Sequence, residues 1–448
     1  MSAATFLRAF ARARWMARRF RARADLEAWQ DRRAARHLAF VAARAPHTAA
    51  RLRGVPLADG GWRGLAPVGK ADLLAHFAEA NTAGVRLEEA LAVAERAEAT
   101  RDFAPTLGNL TVGLSTGTSG RRGVFLASPT ERAEWAGTVL ARALHGRPLR
   151  RRRVALVLRA GGPLYESVGR GPLTFRFFDL LAPVGALARA LDAFQPDVLV
   201  APPAALRLLA AAQRHGAIAL APEQVTSCAD VLGDDDRAEI TAAWGRAPHE
   251  IYQATEGFLG ATCGHGTLHL NEDAVVVQPA WLAEGPTGGE DAGRRFVPIL
   301  TDLRRRTQPF VRYRLDDVLV ARGAPCPCGS VFRALERVEG RADDVLRWPA
   351  PGGARVVFPD FVRRAVAGAH PAVADYRVVQ TGPASLEVAL RLAPGAGEDA
   401  PRRAAEAALA GLAARLGCAP PAVSFVPFEP LPPDAKRRRV RRAPGARA

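Results

Sequence analysis

From Arg153 onward the chain alternates short apolar runs with amphipathic ones, and that alternation limits the folds open to it. Val154–Leu158 and Asp197–Val200 read as buried strands, Ala204–His215 and Arg237–Trp244 as helices, and Glu250-Ile251-Tyr252 as extended again. Strands separated by helices cannot be joined by tight turns, so the crossovers place helices on the faces of a mainly parallel sheet. The expected class is α/β. After Gly340-Arg341 the character changes, with a helix over Phe358–Val366, strands at Tyr376–Gln380 and Leu386–Leu390, a helix over Pro401–Leu416 and a last strand at Val423–Phe428. That is a compact α+β unit of about 100 residues, a normal domain size. The expected division is therefore 1–340 and 341–448, with a linker near 340–345. The first hundred residues read as mostly helical with a break at Gly60-Gly61, and Trp281–Gly293 as an exposed hairpin or loop.

Composition sets the class of partner. With 448 residues and 48% hydrophobic content the chain can bury a large core. No apolar run reaches the eighteen or so residues of a membrane helix, so a soluble protein without a membrane partner is expected. The net charge of +17 would suggest nucleic acid. The basic residues are spread along the chain, however, without an aromatic-interleaved stripe, so no nucleic-acid partner is expected. Lys70 and Lys436 are the two lysines among 62 basic residues, a bias in base composition more than a binding signature. The arginine-rich start, Arg8–Arg23, has little serine, and its helical pattern runs without a break to Val41, so it reads as a structural helix and not as a transit peptide. Cys228, Cys263, Cys326, Cys328 and Cys418 are odd in number and irregularly spaced. They form no disulfide framework, and a reducing, cytoplasmic setting is expected, with Cys228 and Cys418 as buried small hydrophobes.

Four constellations carry chemistry. In Leu114-Ser115-Thr116-Gly117-Thr118-Ser119-Gly120-Arg121-Arg122-Gly123, small hydroxylated residues alternate with glycines just before the helix-like Glu131–Leu144. Glycine lets backbone approach closely, so the N–H groups and hydroxyls from Ser115 to Gly120 can face one polyanion, and Arg121 and Arg122 add charge-assisted contacts. The spacing is not that of a Walker A loop, and an ordinary turn has the same composition. Ile251-Tyr252-Gln253-Ala254-Thr255-Glu256-Gly257 falls at the end of an expected strand, where open α/β sheets place ligands. There a tyrosine can stack on a base, a threonine can bond a phosphate and a glutamate can hold Mg²⁺. Thr301-Asp302-Leu303 with Pro309-Phe310-Val311-Arg312-Tyr313-Arg314-Leu315-Asp316-Asp317 gathers acids suited to ribose and arginines suited to phosphate, unless it is a solvated ion-pair cluster. Gly340-Arg341-Ala342-Asp343-Asp344 has the composition of a hinge.

In this order and spacing the four resemble the adenylate-forming (ANL) superfamily, within it the phenylacetate–CoA ligase branch, and there the clade related to the methanogen synthetase that adenylates a deazaflavin coenzyme. Leu268-His269-Leu270-Asn271-Glu272-Asp273 and Pro67-Val68-Gly69-Lys70 support that clade. The resemblance spans nearly the whole chain. It implies a large N-terminal AMP-binding domain with mixed β-sheets and helices, and a small mobile C-terminal α+β domain. It also implies that Thr116, Thr118 and Ser119 hold the β- and γ-phosphates, Tyr252 packs on adenine, Thr255 touches the phosphoryl group and Glu256 binds Mg²⁺. Asp317 would take the ribose hydroxyls with Arg341 nearby, and Asp343 would be the hinge. Two departures stand out. Gly120-Arg121-Arg122 replaces the family's Gly-Lys-Pro, and Asp316 replaces a glycine, adding a charge that must perturb the nucleotide site or find an arginine.

The resemblance further implies a catalytic lysine near the C-terminus after a Leu-Pro segment, and Leu431-Pro432-Pro433-Asp434-Ala435-Lys436 occupies that place. With two lysines among 62 basic positions, a lysine at one specified site is unexpected by chance. A compact ammonium also reaches a crowded centre that a planar guanidinium fits poorly. Cys263, His269, Cys326 and Cys328 offer three thiolates and one imidazole, a structural Zn²⁺ set, and members of the branch carry similar Cys/His positions. His265 competes with His269, and two unlinked cysteine pairs are the plainer alternative. Asp234-Asp235-Asp236 reads as a solvated helix start.

The implied function is ATP- and Mg²⁺-dependent activation of a small-molecule carboxylic acid as acyl-AMP, passed to a thiol such as CoA. The alternatives are transfer of AMP to a hydroxyl of a cofactor or metabolite, and a non-enzymatic zinc-stabilised binding protein. The acid pocket is expected between the sheet and Thr174-Phe175-Arg176-Phe177-Phe178, aromatics that serve equally as core.

Overall fold

A computed structural model of the chain describes residues 2–100, 102, 106–114, 123–146, 150–158, 161, 173–282, 293–341, 344–429 and 438–443. Ser115–Gly120, Arg121, Arg122, Asp343, Lys436 and most of Trp281–Gly293 lie outside the described residues. The chain divides into two compact units, one of 1–315 with 319–338, the other of 316–318 with 339–448.

Unit 1 opens with helices α1 (Ala3–Arg19), α2 (Arg23–Ala42), α3 (Pro46–Arg51), α4 (Lys70–Ala75), α5 (Phe77–Ala80) and α6 (Leu87–Thr100). The expected unbroken helix to Val41 is instead interrupted at Phe20–Ala22. Phe20 turns inward there, packing on Trp29 and Phe332 at ring centroids of 5.7 and 6.5 Å, and that burial outweighs continuing the helix. A small sheet of β1 (Thr106–Leu107), β2 (Leu110–Leu114) and β3 (Val124–Ala127) flanks the glycine-rich loop. Then come α7 (Pro129–Ala143), β4 (Arg152–Leu158), β5 (Leu173–Asp179), α8 (Val184–Phe194), β6 (Val198–Ala201), α9 (Pro203–Arg214), β7 (Gln224–Ser227), α10 (Asp234–Trp244) and β8 (His249–Ala254). The strands β9 (Gly257–Thr262), β10 (Leu268–Leu270), β11 (Val275–Trp281), β12 (Arg295–Asp302), β13 (Tyr313–Arg314), β14 (Asp317–Ala321) and β15 (Ala334–Arg341) follow.

The main sheet runs in the order β11-β12-β14-β15-β10-β9-β8-β7-β6-β4-β5, with β13 on β12. Strands β4 to β8 pair in parallel, as the strand–helix alternation predicts, and the core on their helical faces includes Leu191, Leu199, Leu206 and Ile240. From β8 to β9 the pairing turns antiparallel and stays so through β10 and, further along, β11 and β12. The class is α/β with a mixed sheet, because the connections after β8 are too short to carry a crossover helix. Thr174–Phe178 does not face the sheet as a pocket wall. It is the sheet's edge strand β5, with Phe178 in the core against Phe194 at 5.6 Å. The acids Asp234–Asp236 do open α10, yet Gly233 is the cap and Asp236 is buried against Arg207 at 3.1 Å.

Two local devices seat α7. Ser128 Oγ accepts from Glu131 N while Glu131 accepts from Ser128 N, a capping box with Pro129 in the first turn. Small residues then let α1 approach: Ala9 and Ala13 on α1 and Ala133, Ala136 and Gly137 on α7 are buried, and a Cβ on Gly137 would lie 3.0 Å from Ala9 Cβ and nearer still to the Phe6 carbonyl. Around the β10–β11 junction, Glu272 and Asp273 are fully buried. Arg23 grips Glu272 with both guanidinium nitrogens, one at 2.7 Å. Arg142 and Arg304 hold Asp273 at 2.9 and 2.6 Å.

Unit 2 adds the hairpin β16 (Leu346–Ala350) and β17 (Gly353–Val357), α11 (Pro359–Ala367), β18 (Val373–Gly382), β19 (Ser385–Leu392), α12 (Asp399–Arg415), β20 (Ala422–Phe425) and β21 (Val440–Arg442). Its sheet order is β20-β19-β18-β21, and its core holds Trp348, Val362, Val378, Val388 and Leu409. Among the described residues no helix is long and apolar enough to cross a membrane.

Gly137→Ala tests the α1–α7 contact. In an open helix interior the change stabilises by roughly 0.5–1 kcal/mol. Here it is expected to destabilise by about 1–3 kcal/mol in chemical denaturation, because backbone cannot retreat from the new methyl.

Candidate functional site

Strand β8 is the last of the parallel set, and it returns at once as β9. Ala254 pairs Gly257, so Thr255 and Glu256 are the two tip residues of a tight hairpin. A register shift between Tyr252 and Gln253 kinks β8 just before the tip and re-aims its side chains. Thr255 and Glu256 are half-buried at the sheet's end. Tyr252 is buried in the core cluster with Leu259 and Leu268, at the base of the hairpin.

The hairpin tip is fastened from outside. The carboxylate of Asp302, buried at the end of β12, accepts backbone N–H bonds from Arg304 and Arg305 at 2.6 and 2.7 Å. Burial pushes this carboxyl up from its ordinary range, against those donors. The tight turn so formed throws Arg305 sideways. Its Nη1 donates to the Thr255 carbonyl at 2.8 Å and its Nη2 to the Leu126 carbonyl on β3 at 2.9 Å. Gln308 continues the clamp, accepting from Leu126 N at 2.9 Å and donating to Val124 O at 2.9 Å. Glu131 closes it, taking bonds from Arg306 N, Thr307 N and the Thr307 hydroxyl at 2.6–2.9 Å. Burial of Glu131 opposes its charge, but the Thr307 donors and the Arg305 charge outweigh it and hold the carboxyl low. Segment 302–308 thus ties the Thr255-Glu256 tip to β3, the strand that leaves the Ser115–Gly123 loop. Sequence reasoning passed over Arg305, Gln308 and Glu131, since one arginine in a chain with so many carries no contrast.

The third constellation splits. Arg312 adopts φ +52° and turns inward, its Nε donating to the Leu65 carbonyl at 2.9 Å and its N to Thr301 Oγ1 at 3.0 Å. It is a backbone clamp and not an arm held out to phosphate. Asp316, Asp317 and Arg341 belong to unit 2, where Arg341 Nη2 bonds Asp316 Oδ2 at 2.9 Å. The extra charge of Asp316 has therefore found an arginine.

The structure gathers Cys263, His269, Cys326 and Cys328. Cys263 Sγ lies 3.7 Å from Cys326 Sγ, and Cys328 Sγ lies 3.4 Å from His269 Nε2. Zinc–sulfur bonds of about 2.3 Å at a tetrahedral angle give edges of about 3.8 Å, so these two separations suit neighbouring ligands of one Zn²⁺. His269 Nδ1 bonds the Phe332 carbonyl at 3.0 Å, which leaves Nε2 for the metal. Gly260 is part of the design, since a Cβ there would stand 2.7 Å from the His269 carbonyl. His265 is exposed and contributes only its backbone N–H to Cys263 Sγ at 3.4 Å. Burial pushes the Cys328 thiol up, whereas hydrogen bonds from Thr267, the Cys328 amide and His269 work against burial at Cys326 and hold its thiol down. Strand β9 separates Glu256 from Cys263, which puts the cluster roughly 20 Å from the hairpin tip.

No protein-family model matches the chain, and no curated protein matches it in sequence. Solved structures do share its fold. A 2-hydroxyisobutyryl-CoA ligase in the postadenylation state, in complex with R3-HIB-AMP, aligns with a TM-score of 0.67 at 17% identity, over 92% of this chain and 89% of that one. The same ligase in an open conformation with 2-HIB-AMP and CoA aligns at 0.55 and 18% identity, over 93% and 90%. The anthranilate CoA ligase AuaEII, in complex with anthranoyl-AMP, aligns at 0.53 and 14% identity, over 73% and 66%. The fold is that of these ligases.

Cobalt titration of the metal-free protein separates the two imidazoles. Thiolate-to-cobalt charge-transfer absorption is expected to survive His265→Ala and to weaken sharply in His269→Ala. Equal effects of the two substitutions would contradict the ligand set.

Proposed function

We propose that the chain is an ATP- and Mg²⁺-dependent adenylate-forming enzyme that activates a carboxylic acid as acyl-AMP and passes the acyl group to a thiol such as CoA, on the phenylacetate–CoA ligase pattern. The observation that carries this reading is the clamp from Arg305, which joins the Thr255-Glu256 tip to the strand leaving the Ser115–Gly120 loop. Two segments expected to hold one triphosphate are thereby fastened to a common support, in a fold shared with ligases solved with acyl-AMP. Oriented donors that need not reorganise are what phosphoryl and nucleotidyl chemistry requires.

In this proposal Ser115, Thr116, Gly117, Thr118, Ser119 and Gly120 bind the phosphates. Tyr252 backs the adenine, and Asp317 with Arg341 serves the ribose. The half-buried Glu256 carboxylate suits Mg²⁺, which when bound neutralises charge on the leaving pyrophosphate. A carboxylate oxygen of the acid attacks the α-phosphorus as the bond to pyrophosphate breaks, with the Lys436 ammonium between acid and α-phosphate. In the second half-reaction a thiolate sulfur attacks the acyl carbon and AMP leaves with the bonding electrons. The small domain turns about Asp343 between the two. Zn²⁺ on Cys263, His269, Cys326 and Cys328 holds the fold away from the chemistry.

ATP–pyrophosphate exchange with Mg²⁺ and a panel of aryl, short-chain and fatty acids tests the reading. Acid-dependent exchange is expected, and Lys436→Ala is expected to lose it by at least about a hundredfold. Absence of exchange with every acid of the panel, despite ATP binding, would overturn carboxylate activation and favour AMP transfer to a hydroxyl. Arg305 acts through Thr255 and so is a positioning residue. Arg305→Met is expected to lower kcat about tenfold or more with little change in the KM for the acid, whereas a purely structural loss would reduce the amount of folded enzyme and leave both constants alone.

A further inference from the structure

Away from both sites, α3 and α4 bring together a second group of metal-ligating side chains, His47, Asp72 and His76. Asp72 and His76 are four residues apart at the end of α4, on one face of the helix turn, and His47 reaches them from α3. His47 Nε2 lies 3.1 Å from Asp72 Oδ2, and His76 Nδ1, 3.7 Å from Asp72 Oδ1, bonds the Asp72 carbonyl at 3.1 Å, which leaves its Nε2 for an ion. The two imidazoles are stacked with centroids 5.0 Å apart. All three donors fall within 4.8 Å of one another.

An ordinary histidine–aspartate pair would account for the closeness, but it would align an N–H with the carboxylate. Asp72 Oδ2 is shut off from solvent and receives no aligned hydrogen bond among the described residues, although His47 Nε2 stands beside it. The 3.1 Å separation of His47 Nε2 and Asp72 Oδ2 is also the spacing of neighbours around one ion, where bonds of about 2.0–2.2 Å give edges of about 3–3.5 Å. The surroundings explain what an ion there would fasten. Val68, between α3 and α4, exchanges backbone bonds with Arg312 and Arg314 at 2.9 and 2.8 Å. Arg51 of α3 donates to the Val311 and Ala66 carbonyls at 2.8 and 2.7 Å.

We propose that His47, Asp72 and His76 form a binding site for a borderline divalent cation of the zinc–nickel–cobalt class. The half-exposed side of the cluster leaves room for water to complete the coordination, as two imidazoles and one carboxylate commonly do for these metals. The ion pins α3 to α4 and so braces the 311–314 segment. The site is independent of the ligase reading and of the cysteine centre.

The test uses the untagged full chain with its cysteine centre loaded with zinc. Isothermal titration with Ni²⁺ is expected to show one equivalent beyond the zinc, with a rise in Tm and no thiolate charge-transfer band. Asp72→Asn, which keeps the side-chain shape, and His76→Ala, at an exposed position, are each expected to remove that equivalent while the zinc content and circular dichroism stay unchanged. No nickel equivalent in the parent protein, or one that survives both substitutions, overturns the site.

Discussion

Two carboxylates buried in a protein without lysine to spare are the constraint on which unit 1 turns. Glu272 and Asp273 lie fully buried at the β10–β11 junction, and each ionised carboxylate there would cost many kcal/mol if left alone. Neither is alone. Arg23 from α2 forks onto Glu272, whose carboxylate also accepts Arg333 N at 2.6 Å and whose carbonyl accepts Gln30 Nε2 at 2.8 Å. Arg142 from α7 and Arg304 take the two oxygens of Asp273. The planar fork of arginine suits this work, since it satisfies a carboxylate bidentately and stays charged when buried. Such a network adds little net stability over an apolar core, but removing one member typically costs about 3–5 kcal/mol because it strands the partner. Its value is registry, since helices from the first 150 residues are locked to one position on the sheet.

The candidate site inherits that registry through adjacent residues. Arg304 reaches inward to Asp273, and Arg305, next in sequence, reaches outward to Thr255 and Leu126. Asp302 makes the turn that lets consecutive arginines point opposite ways. The hairpin tip is therefore positioned by the core and not by loop chemistry of its own, the kind of support that holds a side-chain constellation rigid. The cysteine–histidine cluster lies at the far end of the same hairpin strand, β9, where Cys263 meets His269 of β10 and the Cys326–Cys328 knuckle.

The parallel strands, the helix of α7, and the position of Thr255-Glu256 at a strand end were legible in the residues, because each is announced within a dozen positions by period or turn. The inward turn at Phe20 was not. The helical pattern there is good on both sides, and only the pocket made by Trp29 and Phe332 decides for a break. Of the two readings of Thr174–Phe178, pocket wall or core, only packing decides for the core, because an aromatic run has the same appearance at a sheet edge and beside a ligand. Arg305, Glu131 and Gln308 gave no signal at all. Their partners lie from 3 to 184 residues away, and in a chain whose basic residues are almost all arginine no single one stands out.

What this sequence determined by itself was periodic and local: which segments are strand or helix, and where glycine, hydroxyl and cysteine residues cluster. Those properties depend on neighbours along the chain. Tertiary structure alone decided which of the many arginines meet Glu272 and Asp273, which carbonyls Arg305 grasps, and that His47 stands beside Asp72. Such pairings join residues far apart in sequence, and the electrostatic energy that selects among equivalent arginines exists only after burial has removed the water that would otherwise screen them all alike.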